Sequence, residues 1–277
     1  AAGLSLVVAA GTVPALKSAA GVVEVWTLDV GQGDALLIRA PWGRAALVDG
    51  GGVSGGAASG YDIGEARVVP TLRRLGVRRL DLVVSTHPDA YHVQGLAAVV
   101  RERDVRCVVA SHATSASLAY RRFVDAVAAQ GLPLEHLEAG DVFVLGSGAV
   151  LRVLASGSPT EWAGGRLPGA NDRSIGLLLE AHGRRVLLLG DMQDRGVQRL
   201  LAAVADLRAE GLIVPHHGAR LGSLEALLQA VQPEVAFVSV GRANPYGHPA
   251  GETLRALAAR GIRTLRTDRR GALYLAI

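Results

Sequence analysis

Cysteine is almost missing from this chain: Cys107 is the only one in 277 residues. That excludes an intrachain disulfide and a metal site built on thiolates. Cys107 sits in the apolar run VRCVVA, where its ordinary role is that of a small buried hydrophobe. Lysine is equally scarce, with Lys17 alone, so arginine carries the positive charge. Arginine suits bidentate contacts to phosphate; a GC-rich coding bias explains the same excess without any function. The net charge of +4 permits nucleic-acid binding and does not demand it. Long apolar runs are lacking too. The start of the chain, AAGLSLVVAAGTVPAL, is apolar but broken by Gly11 and Pro14. It is too short to span a bilayer by itself, and it lacks the charged start of a signal peptide. Two readings stay open for it, the end of a membrane helix or an apolar segment packed on the domain. The linker-like KSAAG that follows favours the first.

What is abundant is apolar side chain, 49% of the residues, and glycine, 35 residues. The first is the composition of a folded core, and the second predicts many tight turns. From residue 22 onward, VVEVWTL, DALLIRA and RAALV read as consecutive antiparallel strands. A glycine-rich stretch, residues 50–60, reads as a flexible loop. The segment IGEARVVPTLRRLG has helical spacing, with Pro70 kinking it or delaying its start. Strands and helices then alternate, a second run of strands follows, and alternation resumes to the end. The pattern predicts an α/β chain of two similar halves, each a sheet with helices on its outer side. The expected plan is an apolar segment or linker over residues 1–21 and one domain over residues 22–277.

Five places follow predicted strand ends, where loops present side chains from a rigid base. In LDVGQGD, Asp29 and Asp34 flank two glycines; taken alone, this is a hairpin turn. In LVDGGG, Asp49 can cap backbone N–H groups or accept a hydrogen bond from a metal ligand. In THPDAYH, His87, Asp89 and His92 can converge on a divalent ion. Asp191 of LLLGD can bridge two ions, cap the following helix, or do both. His216 and His217 of VPHHG form a pair that is uncommon by chance, although either alone could be a polar loop residue.

The order of these elements resembles the metallo-β-lactamase fold superfamily. More narrowly, LDVGQGD, LVDGGG, THPDAYHVQGL, NDRSI, LLLGD, VPHHG, NPYGHP and RTDRRG resemble the C-terminal domain of ComEC-type competence proteins, bacterial membrane channels for DNA uptake. The resemblance implies a four-layer αββα sandwich with the site along the edge where two mixed sheets meet. It implies one or two divalent ions, Mn or Zn. His87 and Asp89 would hold the first ion, His92 and His217 the second, and Asp191 would bridge them. His216 would be a neighbour or substrate contact, with the choice between His216 and His217 as ligand left open. Asp29, Asp34 and Asp49 would steady the ligands from behind. Asn171, Ser174, Asn244, Tyr246, Arg220 and Arg242 would meet substrate, with Arg173 a further arginine near the site. His248 would contact phosphate or protonate a leaving oxygen; a structural turn histidine is the equal alternative.

The implied activity is metal-dependent hydrolysis of DNA phosphodiesters, degrading the strand that is not imported. Asp89, Asp191 and His248 would take part in the reaction. The implied partners are single-stranded DNA, a membrane channel portion of the same polypeptide and other competence proteins, on the extracytoplasmic side of a bacterial membrane. The chain departs from the family at Tyr91, where an aspartate is expected to hold the second ion, and at Gln94, where a glycine is expected. A phenol is a poor ligand at neutral pH. Two alternatives follow: a catalytically weakened DNA-binding or structural domain of the same channel, and a stand-alone hydrolase of a small ester with the same fold.

Overall fold

The computed structural model describes residues 21–53, 60–146, 148–162 and 166–277. Nearly all of the apolar segment 1–21 therefore lies outside the described residues. The first half opens with β1 (Glu24–Thr27), β2 (Leu36–Arg39) and β3 (Ala45–Val48), an antiparallel meander. A two-residue strand β4 (Arg79–Leu80) precedes β5 (Leu82–Ser85); a second short one, β6 (Asp104–Val105), pairs with β4. Then β7 (Val108–Ala110) and β8 (Leu134–His136) extend the sheet in parallel beyond β5. The second half repeats the plan. It has an antiparallel run of β9 (Val142–Val144), β10 (Ala149–Ala155), β11 (Gly176–Ala181) and β12 (Arg184–Leu188). Parallel strands β13 (Gly211–Ile213), β14 (Val235–Val238) and β15 (Arg263–Arg266) follow. The last strand, β16 (Leu273–Ala276), returns to the first sheet and pairs with β1, giving the order β16-β1-β2-β3-β5-β7-β8.

Parallel neighbours need crossover connections, and helices supply them. Leu96–Glu102 and Leu118–Ala129 serve the first sheet; Asp194–Ala203, Leu224–Val231 and Gly251–Ala259 serve the second. Successive residues of a strand face opposite sides, and the core shows it. Leu36 and Ile38 of β2 pack between the sheets with Leu151, Leu177 and Phe237, while Leu37 faces the helices with Phe123. Leu177 and Leu179 of β11 likewise face the other sheet, and Leu178 faces the helices of its own half. Strands apolar on both faces explain the continuous hydrophobic runs of the sequence. Each such side chain stabilises the fold by about 1.5–3 kcal/mol when fully buried. Three apolar layers separate four layers of structure, the αββα arrangement expected.

Two local expectations are refined. The helix beginning at Gly64 runs as a π-type turn to Val68 and continues as an α-helix over Val69–Arg74, with Pro70 in its first turn. Pro70 therefore stands inside a continuous helix and lacks the N–H that an interior residue would donate. The stretch expected to be a flexible loop starts as packed structure: Gly50, Gly51 and Gly52 are buried, and residues 54–59 lie outside the described set. A Cβ on Gly52 would fall 1.8 Å from the Ala90 carbonyl oxygen, so the turn bearing His92 rests directly on this glycine. No helix among the described residues is long and apolar enough to cross a membrane.

Candidate metal centre

The loops after β3, β5, β12, β13 and β14 meet at one edge of the sandwich. His87 follows β5, His92 lies in the short helix Ala90–Val93, Asp191 follows β12 and His217 follows β13. All four are buried. Their site-facing atoms converge. His92 Nε2 lies 3.1 Å from Asp191 Oδ1, His217 Nε2 lies 3.5 Å from the same oxygen, and His87 Nε2 lies 3.8 Å from Oδ2.

Each imidazole is held through its other nitrogen. Asp49 accepts from Thr86 N at 2.8 Å and from Thr86 Oγ1 at 2.7 Å. The Thr86 hydroxyl proton is thereby committed to Asp49, so at 3.1 Å from His87 Nδ1 the hydroxyl oxygen acts as acceptor. His92 Nδ1 donates to Asp49 Oδ2 at 2.8 Å, and His217 Nδ1 donates to the Ser239 carbonyl at 3.0 Å. All three rings are thus fixed as Nδ1–H tautomers that turn an Nε2 lone pair inward, the arrangement that outer partners impose on metal-ligating histidines. His87 Nε2, His92 Nε2, His217 Nε2 and Asp191 Oδ1 have no hydrogen bond of good geometry among the described residues. Unpaired buried polar atoms are costly, and four aimed at one point need a common partner.

A divalent ion fits these donors. Ligands about 2.0–2.1 Å from a tetrahedral ion lie roughly 3.3 Å from one another, close to the observed separations. Imidazole and carboxylate without thiolate suit Zn²⁺, Mn²⁺ or Fe²⁺. His87, His92 and Asp191 form one buried group able to hold an ion; Asp34, Asp191 and His217 form another, and Asp34, Asp49 and His92 a third. The electrostatics reflect the same packing of imidazoles around a carboxylate. Burial would raise the Asp191 carboxyl, but His92, His217 and His87 around it hold it well below the usual carboxylate range. Burial would lower His92, yet Asp191 and Asp49 keep it well above its ordinary value. His87, buried and facing His92, is pushed well below.

The two halves are fastened at this edge by side-chain-to-backbone hydrogen bonds. Ser239 Oγ donates to the Gly33 carbonyl at 2.7 Å, and Gly241 N donates to Gln32 Oε1 at 3.1 Å. LDVGQGD is therefore more than a turn. A Cβ on Gly33 would fall 2.1 Å from the Tyr91 carbonyl oxygen. His216 and His217 adopt left-handed backbone conformations, φ 52° and 55°. Such strain, about 1–3 kcal/mol for each non-glycine residue, clusters at functional sites.

Several expected site residues stand elsewhere. Asp89 does not join the converging atoms: it is exposed, and its Oδ1 caps the Ala90–Val93 helix by accepting from Tyr91 N at 3.0 Å. Asp191 is no helix cap, because Gln193 occupies that position before Asp194–Ala203. Of the histidine pair, His217 lies in the cluster. His216 is more exposed, pairs with Gln193 Nε2 through Nδ1 at 3.2 Å, and keeps its Nε2 3.8 Å from Asp191 Oδ2. Asp34 is buried, 3.4 Å from His217 Nδ1, whereas Asp29 pairs with Arg67 at 3.4 Å near the surface.

Asn244 spends its amide on its own loop. Nδ2 donates to the Gly241 and His248 carbonyls, and Oδ1 accepts from Tyr246 N and His248 N. Its amide thus shapes the loop after β14. Arg173 donates to the Gly157 carbonyl and Arg242 to the Asp268 carbonyl; Arg220 is 78% exposed beside Glu252. Asn171 begins a short 3₁₀ turn, and Ser174 is buried with no hydrogen-bond partner for its Oγ among the described residues. His248 is half-buried, its ring 5.6 Å from His216 and 5.8 Å from Tyr246. Gln94 accepts from Val53 N at 2.8 Å and donates to the Tyr61 carbonyl at 2.9 Å. Thr86 was not legible as a site residue, because its link between Asp49 and His87 exists only once β3 and β5 are paired.

Fold and site together define a metallohydrolase-type protein, and the chain belongs to the metallo-beta-lactamase superfamily, whose profile matches residues 28–242. Its curated relatives are competence proteins. The chain is 28% identical over 258 residues to ComE operon protein 3 of Bacillus subtilis, covering 90% of this chain and 32% of that protein. It is 30% identical over 262 residues to competence protein ComA of Neisseria gonorrhoeae, covering 92% of this chain and 32% of that one. The chain thus spans about a third of the length of these relatives. Among solved structures, Zn²⁺-bound PqqB from Methylobacterium extorquens shares the fold. Its TM-score is 0.55 and its identity 18%, over 88% of this chain and 86% of that one.

Proposed function

We propose that this chain is a metal-dependent phosphodiesterase domain that cleaves DNA during competence, degrading the strand that is not imported. The observation that carries the reading is the convergence of three buried imidazole Nε2 atoms on Asp191, in a chain similar to competence proteins. Divalent ions, Mn or Zn, held by His87, His92, Asp191 and His217 would supply Lewis-acid polarisation of a phosphoryl oxygen and activation of water. The chain's own residues do the rest. Asp49, Thr86 and the Ser239 carbonyl hold the imidazoles in one tautomer. His216 and His248 stand beside the cluster. Burial and the neighbouring His216 and His217 push His248 below its ordinary value, so at neutral pH it is an acceptor for a proton. Residues 22–277 form the catalytic domain in this reading. Its partners are single-stranded DNA, a channel portion of the same polypeptide and other competence proteins, on the extracytoplasmic side of a membrane.

The test is elemental analysis of the purified protein beside a nuclease assay on single-stranded DNA with Mn²⁺ or Zn²⁺ added back. Bound metal with metal-dependent cleavage is the expected result; a protein that holds neither ion and leaves DNA intact overturns the reading. Tyr91 favours a second reading, a DNA-binding domain of the same machinery with weakened catalysis. The position offers no carboxylate, and its phenol is engaged with Tyr246. Metal bound without cleavage would select that reading.

A further inference from the structure

We propose that Tyr91 and Tyr246 form a substrate-holding pair at the rim of the centre: one hydroxyl donates to the other, the remaining hydroxyl proton goes to a backbone phosphate oxygen of a single nucleic-acid strand, and the exposed ring of Tyr246 stacks on a base. The inference rests on the phosphodiester reading above and names how that site would hold its substrate. The residue that takes the place of an expected metal ligand is then a contact of a different kind.

The two hydroxyl oxygens lie 2.7 Å apart, with the rings edge to face at 5.9 Å. Only one proton can sit between two oxygens. The second hydroxyl proton is left to an outside acceptor, and donation within the pair polarises it. The Tyr246 phenol is pushed up to about 12, first by its bond with Tyr91, so it remains a protonated donor at physiological pH. The pair joins the two halves of the molecule. Tyr91 comes from the helix Ala90–Val93 beside β5, and Tyr246 from the loop that follows β14. Both backbones are pinned, Tyr91 N to Asp89 Oδ1 at 3.0 Å and Tyr246 N to Asn244 Oδ1 at 3.2 Å. The donor is therefore organised before any ligand arrives, which lowers the cost of binding.

The pair is connected to the centre by a chain of ring contacts, stacked at Tyr246–His248 and edge-on at His248–His216. Tyr246 lies on His248 at 5.8 Å, His248 meets His216 at 5.6 Å, and His216 Nε2 is 3.8 Å from Asp191. Yet Tyr246 is 50% exposed, an unusual position for a large ring at the mouth of a buried site. An exposed ring beside a phosphate donor matches the stacking platforms that bind single strands, where unstacked bases offer their faces. Duplex DNA keeps its bases stacked on one another and offers none.

The test uses the full chain in EDTA, so that binding is read without cleavage. Fluorescence anisotropy gives the Kd for a labelled single-stranded oligonucleotide and for its duplex. Tyr91→Phe and Tyr246→Phe each remove one hydroxyl and keep the ring; Tyr246→Leu removes the platform, and circular dichroism confirms folding. The expected result is single-strand binding weakened about fivefold by either Phe variant and about tenfold or more by Tyr246→Leu. The double Phe variant should be weaker than either single one, because it alone removes the last hydroxyl able to donate to phosphate. Duplex binding should not change. Unaltered single-strand binding in every variant overturns this proposal and leaves the phosphodiester reading standing. Equal losses on duplex overturn the single-strand assignment. A wild-type chain that neither binds DNA in EDTA nor cleaves it with Mn²⁺ overturns both.

Discussion

At the floor of the centre, His87, His92, His217 and Asp191 are buried, and every outward-facing imidazole nitrogen has a fixed partner. At the rim, Tyr91, Tyr246, His216 and Arg220 are partly or largely exposed, and several of their contacts are to one another or to solvent. The floor is anchored on strands buried on both faces, so its geometry is as rigid as the core. The rim is carried by a short helix and loops, where side chains can differ without disturbing the sheets. The difference teaches where variation is cheap. A side chain such as Tyr91 can vary at the rim because its phenol is engaged with Tyr246, another rim residue.

The comparison predicts a graded series. Asp191→Asn should have the largest effect: it removes the anion facing all three imidazoles and should lower metal affinity by more than about 100-fold. Elemental analysis after dialysis checks it, and a full complement of retained metal would break the floor assignment. Asp49→Ala should come next. It strips His92 Nδ1, Thr86 N and Thr86 Oγ1 of their partner, costing about 10–100-fold in metal affinity. Each buried group left unpaired should cost about 1–3 kcal/mol of stability, read from urea unfolding. If only stability falls and the ion stays tightly bound, Asp49 is a fold residue alone. Gly52→Ala should follow, losing about 2 kcal/mol or more because the added Cβ meets the Ala90 carbonyl. Wild-type stability would show that the His92 turn is not seated on that glycine.

Tyr91→Asp moves the comparison the other way. It should raise affinity for a second ion by about tenfold, seen as a second event in titration calorimetry. Unchanged stoichiometry would mean that position 91 does not govern the metal count. The smallest effect should come from Arg220→Ala, whose exposed pair with Glu252 at 3.6 Å contributes within about 0.5 kcal/mol. Its signature is a salt dependence of DNA binding shallower by about one phosphate contact, and an unaltered slope would remove Arg220 from the substrate face.

Much of this was legible in the residues. Apolar runs such as DALLIRA and SIGLLLEA announce strands because both of their faces are buried. Histidine and aspartate after strand ends announce a site because strand ends carry loops to one edge. Leu134–His136 was not legible, since its side chains are half-buried or exposed and make no apolar run. Asp89 stands apart from the converging atoms, its Oδ1 accepting from Tyr91 N, a placement that spacing alone does not show. Asn244 likewise spends its amide within its own loop, which spacing does not show.

By itself, then, the sequence determined the two-halved α/β plan, the absence of thiolate chemistry and the set of histidines and carboxylates from which the centre is made. Those follow from local composition and periodicity, which each segment carries alone. Only the tertiary structure decided that β16 closes the first sheet against β1, that His217 rather than His216 turns into the cluster, and that Tyr91 meets Tyr246. These are contacts between segments far apart in the chain, and their geometry exists only after the two sheets have packed and brought their loops to a common edge.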